Sequence, residues 1–146
     1  MYKRQVPDSI NWGASDVSKY RYVQSAGSSN ALGLVKFIFP NDFSVFLHDT
    51  NSRSLFKKNY RARSSGCVRV HKPFDLSEKL LNDQERWSRE KIDTVVKKRK
   101  TQRVHLTKDV QVHILYWSVV FNEKNKVNFV NDVYQFDKKL AKVLTQ

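Results

Sequence analysis

The sequence is poor in residues that cross-link or break a chain. It has one cysteine, three prolines and four glycines among 146 residues. A lone cysteine cannot form an intramolecular disulfide, which excludes a disulfide-stapled scaffold and leaves a free thiol to explain. No apolar run approaches the roughly 20 residues that a membrane-spanning helix needs, so no segment of this sequence is predicted to span a bilayer.

Acidic residues are also scarce, because 14 Asp and Glu face 27 Lys and Arg and leave a formal charge of +13. Such an excess favours polyanionic partners, namely nucleic acid, anionic lipid or an acidic cell-wall polymer. The apolar fraction of 40%, with 12% aromatic residues, excludes a disordered chain. This length is typical of one domain with a real core.

The first five residues, MYKRQ, have a separate interpretation. One nucleotide sequence that encodes them, GTG-TAT-AAG-AGA-CAG, matches the end of a common sequencing transposon adapter. We therefore interpret residues 1–5 as adapter read-through and expect the gene to begin upstream. On this interpretation a missing leader peptide says nothing about the compartment.

Periodicity and turn residues predict an α+β fold with mainly antiparallel pairing. A loop is predicted over 25–33, where small residues cluster. The other predicted elements are a hairpin of 34–39 and 43–48, a strand over 67–70, helices over 73–82 and from Ser88 to about 100, a second hairpin of 110–121 and 127–136, and a helix over 138–144. In the strand 43–48, alternation places Ser44, Phe46 and His48 on one face. His48 ends that strand, where a side chain can face a cleft.

Cys67 admits two interpretations from the residues alone, a buried small residue or a nucleophile. The thiolate is the reactive form of cysteine, and the cationic neighbours Arg61, Arg63 and Arg69 favour it. Gly66 lets the backbone turn sharply, so that N–H groups there could point at a developing oxyanion. His48 is the candidate base.

The segments NALGLVKFIFPNDFSVFLHDT and LFKKNYRARSSGCVRV resemble the L,D-transpeptidase family with the YkuD-type catalytic domain, most of all its large periplasmic Gram-negative branch. The family signature is a His, a gap of somewhat under twenty residues, then S-H-G-C and an Arg two positions later. The matching residues are His48, Ser64, Gly66, Cys67 and Arg69, whereas Ser65 stands where many members have His. The resemblance covers about residues 10–144.

The resemblance implies that Cys67 is the nucleophile, attacking the carbonyl between the diamino acid at stem position three and the D-alanine at position four. His48 would be its base and later protonate the departing amine. The backbone oxygen of Asp49 would hold the other imidazole nitrogen. A second stem peptide would then accept the acyl group, which gives a 3→3 cross-link.

Supporting roles follow for the neighbours of the nucleophile. Amides at Gly66 and Cys67 would line the oxyanion site, and Ser65 could add a hydroxyl hydrogen bond. Arg69 would support the loop, with an ion pair as one means. The remaining histidines are expected to have structural or surface roles, and Tyr116 and Trp117 are expected to pack on the sheet.

For the whole chain, the resemblance implies a YkuD-like β-sandwich acting in the periplasm, with the signal segment missing from this sequence. Its partners would be peptidoglycan stem peptides and, as covalent inhibitors, β-lactams of the carbapenem type. No metal or organic cofactor is implied. Residues 6–146 would be the C-terminal part of the catalytic domain, so we expect this N-terminally truncated chain to be poorly soluble or inactive by itself.

Two alternatives remain. Hydrolysis of the same bond, by an L,D-carboxypeptidase or endopeptidase, would share the acyl-enzyme. From a different class, a basic nucleic-acid-binding domain would use Arg99, Lys100, Arg103 and the lysine-bearing face of the helix after Ser88. No recognised nucleic-acid-binding motif accompanies these residues, and a run of charge on an amphipathic helix is usually a solvated face. DNA binding that weakens steeply with salt would favour this alternative.

Overall fold

The computed structural model describes residues 7–13, 18, 20–64 and 66–145. Residues 1–5 and Ser65, both singled out above, lie outside them. The strands are β1 (Lys36–Phe37), β2 (Leu47–His48), β3 (Val68–Arg69), β4 (Val119–Phe121) and β5 (Val127–Phe129). The helices are α1 (Pro73–Leu81), α2 (Gln84–Trp87), α3 (Arg89–Lys97) and α4 (Phe136–Leu144), with 3₁₀ turns at Pro7–Ser9 and Arg53–Lys57. The predicted α+β class is confirmed.

The strands form two separate small sheets, ordered β1-β2-β3 and β4-β5. Both hairpins pair antiparallel as predicted. The third pairing, β2 with β3, is parallel and was not expected. Parallel neighbours need a crossover connection, which here runs over residues 49–67 and brings two distant segments side by side. The β-sandwich arrangement remains a prediction.

The turn before β2 differs from its predicted alternation. Ser44 has a φ of +53°, and Phe43 is 84% exposed. The Asn41 side chain organises this turn, since its Oδ1 accepts from the Phe43 and Val45 amides at 3.1 and 3.0 Å. A positive φ breaks the pleat, so the predicted placement of Ser44 on the same face as Phe46 and His48 is wrong, and the strand begins only at Leu47.

Helices α1 and α3 match their predicted positions. Pro73 occupies the first turn of α1, where its missing N–H costs no hydrogen bond, and Asn82 ends the helix in the left-handed conformation. Ser88 is the predicted N-cap of α3, and its hydroxyl accepts from the Lys91 amide at 3.4 Å. Each of these signals depends on residues adjacent in the chain, which explains why the sequence predicted them.

Arg89 of α3 contacts residues of α1. Its Nη1 lies 3.2 Å from Asp75 Oδ1, its Nε lies 3.4 Å from Asp93 Oδ1, and its guanidinium stacks over Phe74 at 4.7 Å. Ile92, also on α3, is 6% exposed. Among the residues that the structure describes, it is the one that forms the buried hydrophobic core. The hydrophobic core is therefore small and lies on the inner face of α3.

The C-terminal region, residues 101–145, contains no buried residue. All of it is described, and every residue is exposed except half-buried Ser118 and Asp132. The strand predicted over 110–121 is confirmed only for β4, because residues 110–118 have no ladder partner. Helix α4 begins at Phe136, slightly before its predicted start. Across the residues that the structure describes, none of the helices has the length and apolar character needed to traverse a membrane.

Candidate functional site

His48 ends β2 and is 5% exposed. Its Nδ1 lies 2.5 Å from the carbonyl oxygen of Asp49, which is the contact that the sequence led us to expect. A carbonyl only accepts, so this contact favours the tautomer in which Nδ1–H donates. In that tautomer Nε2 carries the free lone pair and can accept a proton.

The Asp49 side chain holds the segment around His48. It is 1% exposed, and its Oδ2 accepts from the Leu34 amide at 2.9 Å while its Oδ1 pairs with Arg53 Nη2 at 2.7 Å. Its own amide donates to the Val35 carbonyl at 2.8 Å. A buried carboxylate needs such partners to be tolerated. Sequence reasoning used only the backbone of Asp49 and missed this role of its carboxylate.

Gly33 makes room for that carboxylate. Its φ is +65°, and a Cβ placed there would lie 2.5 Å from Asp49 Cγ. The preceding turn is set by Asn30, whose carbonyl accepts from the Gly33 amide and whose Oδ1 accepts from the Leu32 amide, both at 2.9 Å. A loop was correctly predicted here, but the need for glycine appears only once Asp49 is in place.

The parallel pairing of β2 and β3 brings Cys67 to the strand that bears His48. The Val68 amide donates to the Phe46 carbonyl at 3.1 Å, and the Val70 amide donates to the His48 carbonyl at 2.8 Å. Cys67, just before β3, therefore lies beside Phe46, which is one pleat from His48. The centroids of the Phe46 and His48 rings are 6.0 Å apart.

The turn that carries Cys67 is shaped by Ser64. The Ser64 hydroxyl donates to the Cys67 carbonyl at 2.6 Å and accepts from the Gly66 amide at 3.3 Å. Gly66 has a φ of +152°, a conformation that residues with a Cβ rarely adopt. Within the part of the chain that the structure describes, the Gly66 amide is thus engaged in the turn, whereas no contact to the Cys67 amide is seen. Sequence reasoning did not assign Ser64 a role.

Cys67 is half-buried and opens onto a cavity of about 340 Å³. The thiol is therefore not sealed among hydrocarbon, as a purely structural cysteine would be. The cavity wall is rich in guanidinium groups, and it consists of Leu55, Phe56, Arg61, Ala62, Arg63, Ser64, Gly66, Cys67, Val68, Arg69 and Tyr134. His48 is not part of this wall, so only the thiol of the proposed pair faces the open space.

The sequence of this site matches the YkuD L,D-transpeptidase catalytic domain over residues 1–114. The chain belongs to the YkuD family. It is also 38% identical over 135 residues to a Haemophilus influenzae protein named "Putative L,D-transpeptidase". That alignment covers 92% of this chain and 27% of the relative, so the chain spans about a quarter of the length of the protein it matches.

Arg69 is expected to support the loop in this YkuD chain, and that role stays a prediction. Its Nε is buried without a hydrogen-bond partner, and among the described residues no carboxylate forms an ion pair with it. The guanidinium instead contributes to the wall of the Cys67 cavity. His71 packs its ring 4.8 Å from Phe56, a structural contact as predicted, while Trp117 is 64% exposed rather than packed on a sheet.

Proposed function

We propose that this chain carries the catalytic pair of a peptidoglycan L,D-transpeptidase, with Cys67 as nucleophile and His48 as base. One observation supports this most strongly: the parallel pairing of β2 and β3 brings Cys67, the residue just before β3, next to the strand that ends at His48. The thiol opens to a cavity, and the imidazole is oriented by the Asp49 carbonyl. Membership of the YkuD family supplies the reaction class.

In the first step, the Cys67 sulfur attacks the carbonyl carbon between the diamino acid at stem position three and D-alanine at position four. Nε2 of His48 takes the thiol proton and passes it to the nitrogen of the departing D-alanine. A carbon–sulfur bond forms and the carbon–nitrogen bond breaks, which leaves a thioester and free D-alanine. This is covalent catalysis with one base serving both proton transfers.

In the second step, the side-chain amine of another stem peptide attacks the thioester carbonyl. His48 removes a proton from that amine and returns one to the leaving sulfur, which restores the thiol and leaves a 3→3 cross-link. Hydrolysis is the competing outcome, in which water replaces the amine and a shortened stem is released. The acyl-enzyme is the same in both cases, so only the product distinguishes them.

Charge that develops on the carbonyl oxygen during each attack needs nearby donors. The Cys67 amide is the best placed, because the Gly66 amide already donates to Ser64. Arg61, Arg63 and Arg69 line the same cavity, and their positive charge favours a substrate that carries carboxylates. The stem peptides of peptidoglycan have such carboxylates, and the reaction would take place in the periplasm.

The test uses the full-length polypeptide, meaning the product of the complete gene. Tetrapeptide muropeptides are the substrate, and mass spectrometry identifies the products. The wild-type protein is expected to yield 3→3 cross-linked dimers, and Cys67→Ala is expected to yield no product. His48→Gln removes the base but keeps a polar side chain, and a loss of about 10²-fold or more in turnover is expected. His71→Gln is the matched control, because His71 contacts Phe56 but is not among the residues that line the Cys67 cavity, and it should retain activity.

Each result has a distinct meaning. Release of D-alanine with shortened stems and no dimers would assign hydrolysis rather than cross-linking. Labelling of Cys67 by a carbapenem, read as a mass increase absent from Cys67→Ala, would support the nucleophile independently. Full activity in Cys67→Ala would overturn the proposal.

A further inference from the structure

Tyr134 belongs to the wall of the Cys67 cavity although it comes from the C-terminal region. Every other wall residue lies between 55 and 69. Tyr134 is 58% exposed, so a largely solvent-exposed tyrosine lines the same cavity as Cys67. Nothing in the sequence pattern marked this residue for the site, because its neighbours are separated from Cys67 by three helices and a hairpin.

The position of Tyr134 is fixed by Tyr116. The two rings have centroids 4.9 Å apart at 60°, and the Tyr134 amide donates to the Tyr116 hydroxyl oxygen at 3.3 Å. That hydroxyl in turn donates to Asp132 Oδ1 at 2.6 Å. Edge-to-face aromatic pairs of this kind add to simple burial. Tyr116 therefore holds both the ring and the backbone of Tyr134.

Asp132 links Tyr116 to the start of α4 through hydrogen bonds. Its Oδ1 also accepts from the Phe136 amide at 3.1 Å, and its Oδ2 accepts from the Asp137 amide at 2.8 Å. Gln135 adopts a left-handed φ of +55°, and its amide donates to the Asp132 carbonyl at 3.2 Å. The segment 132–137, here termed the Tyr134 turn, is thus defined by hydrogen bonds at both ends.

We propose that Tyr134 is a substrate-positioning residue of the Cys67 cavity, held in place by the Tyr116–Asp132 hydrogen bond. This rests on the proposed function. The arginine part of the wall suits carboxylates, whereas the Tyr134 ring offers a flat amphipathic surface for the aliphatic part of a peptide donor. A tyrosine loses little conformational entropy when it binds, and one that is already held loses less.

The experiment compares two reactions at the same sulfur in the full-length polypeptide. Acylation of Cys67 by a tetrapeptide muropeptide requires positioning, whereas alkylation by iodoacetamide requires only an accessible thiolate. Tyr134→Ala is expected to lower kcat/KM for acylation about tenfold, mainly through KM, which corresponds to a loss of about 1.4 kcal/mol. The alkylation rate is expected to change less than about twofold.

Two further variants separate positioning from folding. Tyr116→Phe removes the hydroxyl that donates to Asp132 and accepts from the Tyr134 amide. The kcat/KM for acylation of Cys67 is therefore expected to lie between the values for wild type and Tyr134→Ala. Tyr20→Ala is the matched control, because Tyr20 is an exposed tyrosine outside the cavity wall, and it should match the wild type.

Equal acylation by wild type and Tyr134→Ala would overturn the positioning role while leaving the proposed function intact. A parallel fall in acylation and alkylation would overturn it too, because the loss would then be structural. A wild-type thiol that alkylates but is never acylated by the muropeptide would overturn the proposed function, and the role of Tyr134 with it.

Discussion

Residues 30–97 and residues 101–145 are held together in different ways. The first region contains the buried residues that the structure describes, among them His48, Asp49, Thr50, Pro73, Ser77 and Ile92. The second has none, and Phe129 there is 82% exposed. It is organised instead by side-chain hydrogen bonds such as Tyr116–Asp132 and Ser118–Asp137, both at 2.6 Å.

This difference shows where the candidate site gets its rigidity. The proposed catalytic pair lies in the region with buried polar groups, where a wrong geometry leaves a charge or an amide unsatisfied and is costly. Tyr134 lies in the exposed region, where hydrogen bonds compete with water and open more easily. The two regions meet at the Cys67 cavity, where Tyr134 is held by side-chain hydrogen bonds rather than by burial.

The largest expected effect tests the rigid region at Gly33. Gly33→Ala puts a Cβ 2.5 Å from Asp49 Cγ and requires an alanine at a φ of +65°. We expect a loss of about 4 kcal/mol in the free energy of unfolding, from steric overlap and backbone strain together. Urea unfolding followed by tryptophan fluorescence measures it.

The matched control for this variant is Gly27→Ala. Gly27 also has a positive φ, of +151°, but no atom lies within 4 Å of the added Cβ. Only the backbone strain remains, and a loss of about 1 kcal/mol in the free energy of unfolding is expected. Equal losses at the two glycines would show that Asp49 does not constrain Gly33, and the rigid-region argument would fail.

The next effect compares equivalent truncations on two helices. Ile92→Ala removes a side chain that is 6% exposed from α3, and a loss of about 3 kcal/mol is expected. Leu140→Ala removes a side chain that is 58% exposed from α4, and a change within about 0.5 kcal/mol is expected. Similar losses from both variants would mean that the C-terminal region has a core of its own.

The sequence predicted well wherever the signal was local. The N-cap at Ser88, the proline that opens α1, and the hairpin around residues 40–42 were all readable, because each is set by residues adjacent in the chain. The contact of His48 with the Asp49 carbonyl was expected from the family resemblance. The pairing of Cys67 with the strand of His48 came from the family resemblance rather than from periodicity.

Long-range features were not predictable from one sequence. The parallel register of β2 and β3, the contact of Gly33 with Asp49 and the approach of Tyr134 to Cys67 each join segments far apart in the chain. Alternation also overestimated the strand over 110–121, because a pattern shows a preference for extended backbone but cannot supply a neighbouring strand. Trp117 was misjudged for the same reason.

A moderate effect is expected from the buried carboxylate. Asp49→Ala leaves the Leu34 amide and Arg53 without their shared partner, and a loss of about 2 kcal/mol is expected. Arg53 is itself about half exposed and can turn to water, which limits the loss. Asp137→Ala is the control from the exposed region, with a change within about 0.5 kcal/mol. A larger loss at Asp137 than at Asp49 would reverse the comparison.

The smallest effect concerns pH and the exposed region. The Tyr116 hydroxyl, followed by the amides of Asp137 and Phe136, holds the pKa of Asp132 below its usual 3.8. A carboxyl whose pKa is lowered by folding stabilises the fold fully above its unfolded value, and that contribution is lost as the pH falls through the lowered pKa. The stability difference between wild type and Asp132→Asn is therefore expected to shrink between about pH 5 and pH 2. Urea unfolding at each pH measures the difference, and protonation of other carboxylates cancels in it. A difference that stays constant over this range would show that the carboxylate charge of Asp132 does not hold the Tyr134 turn, and that the shape of the side chain alone does.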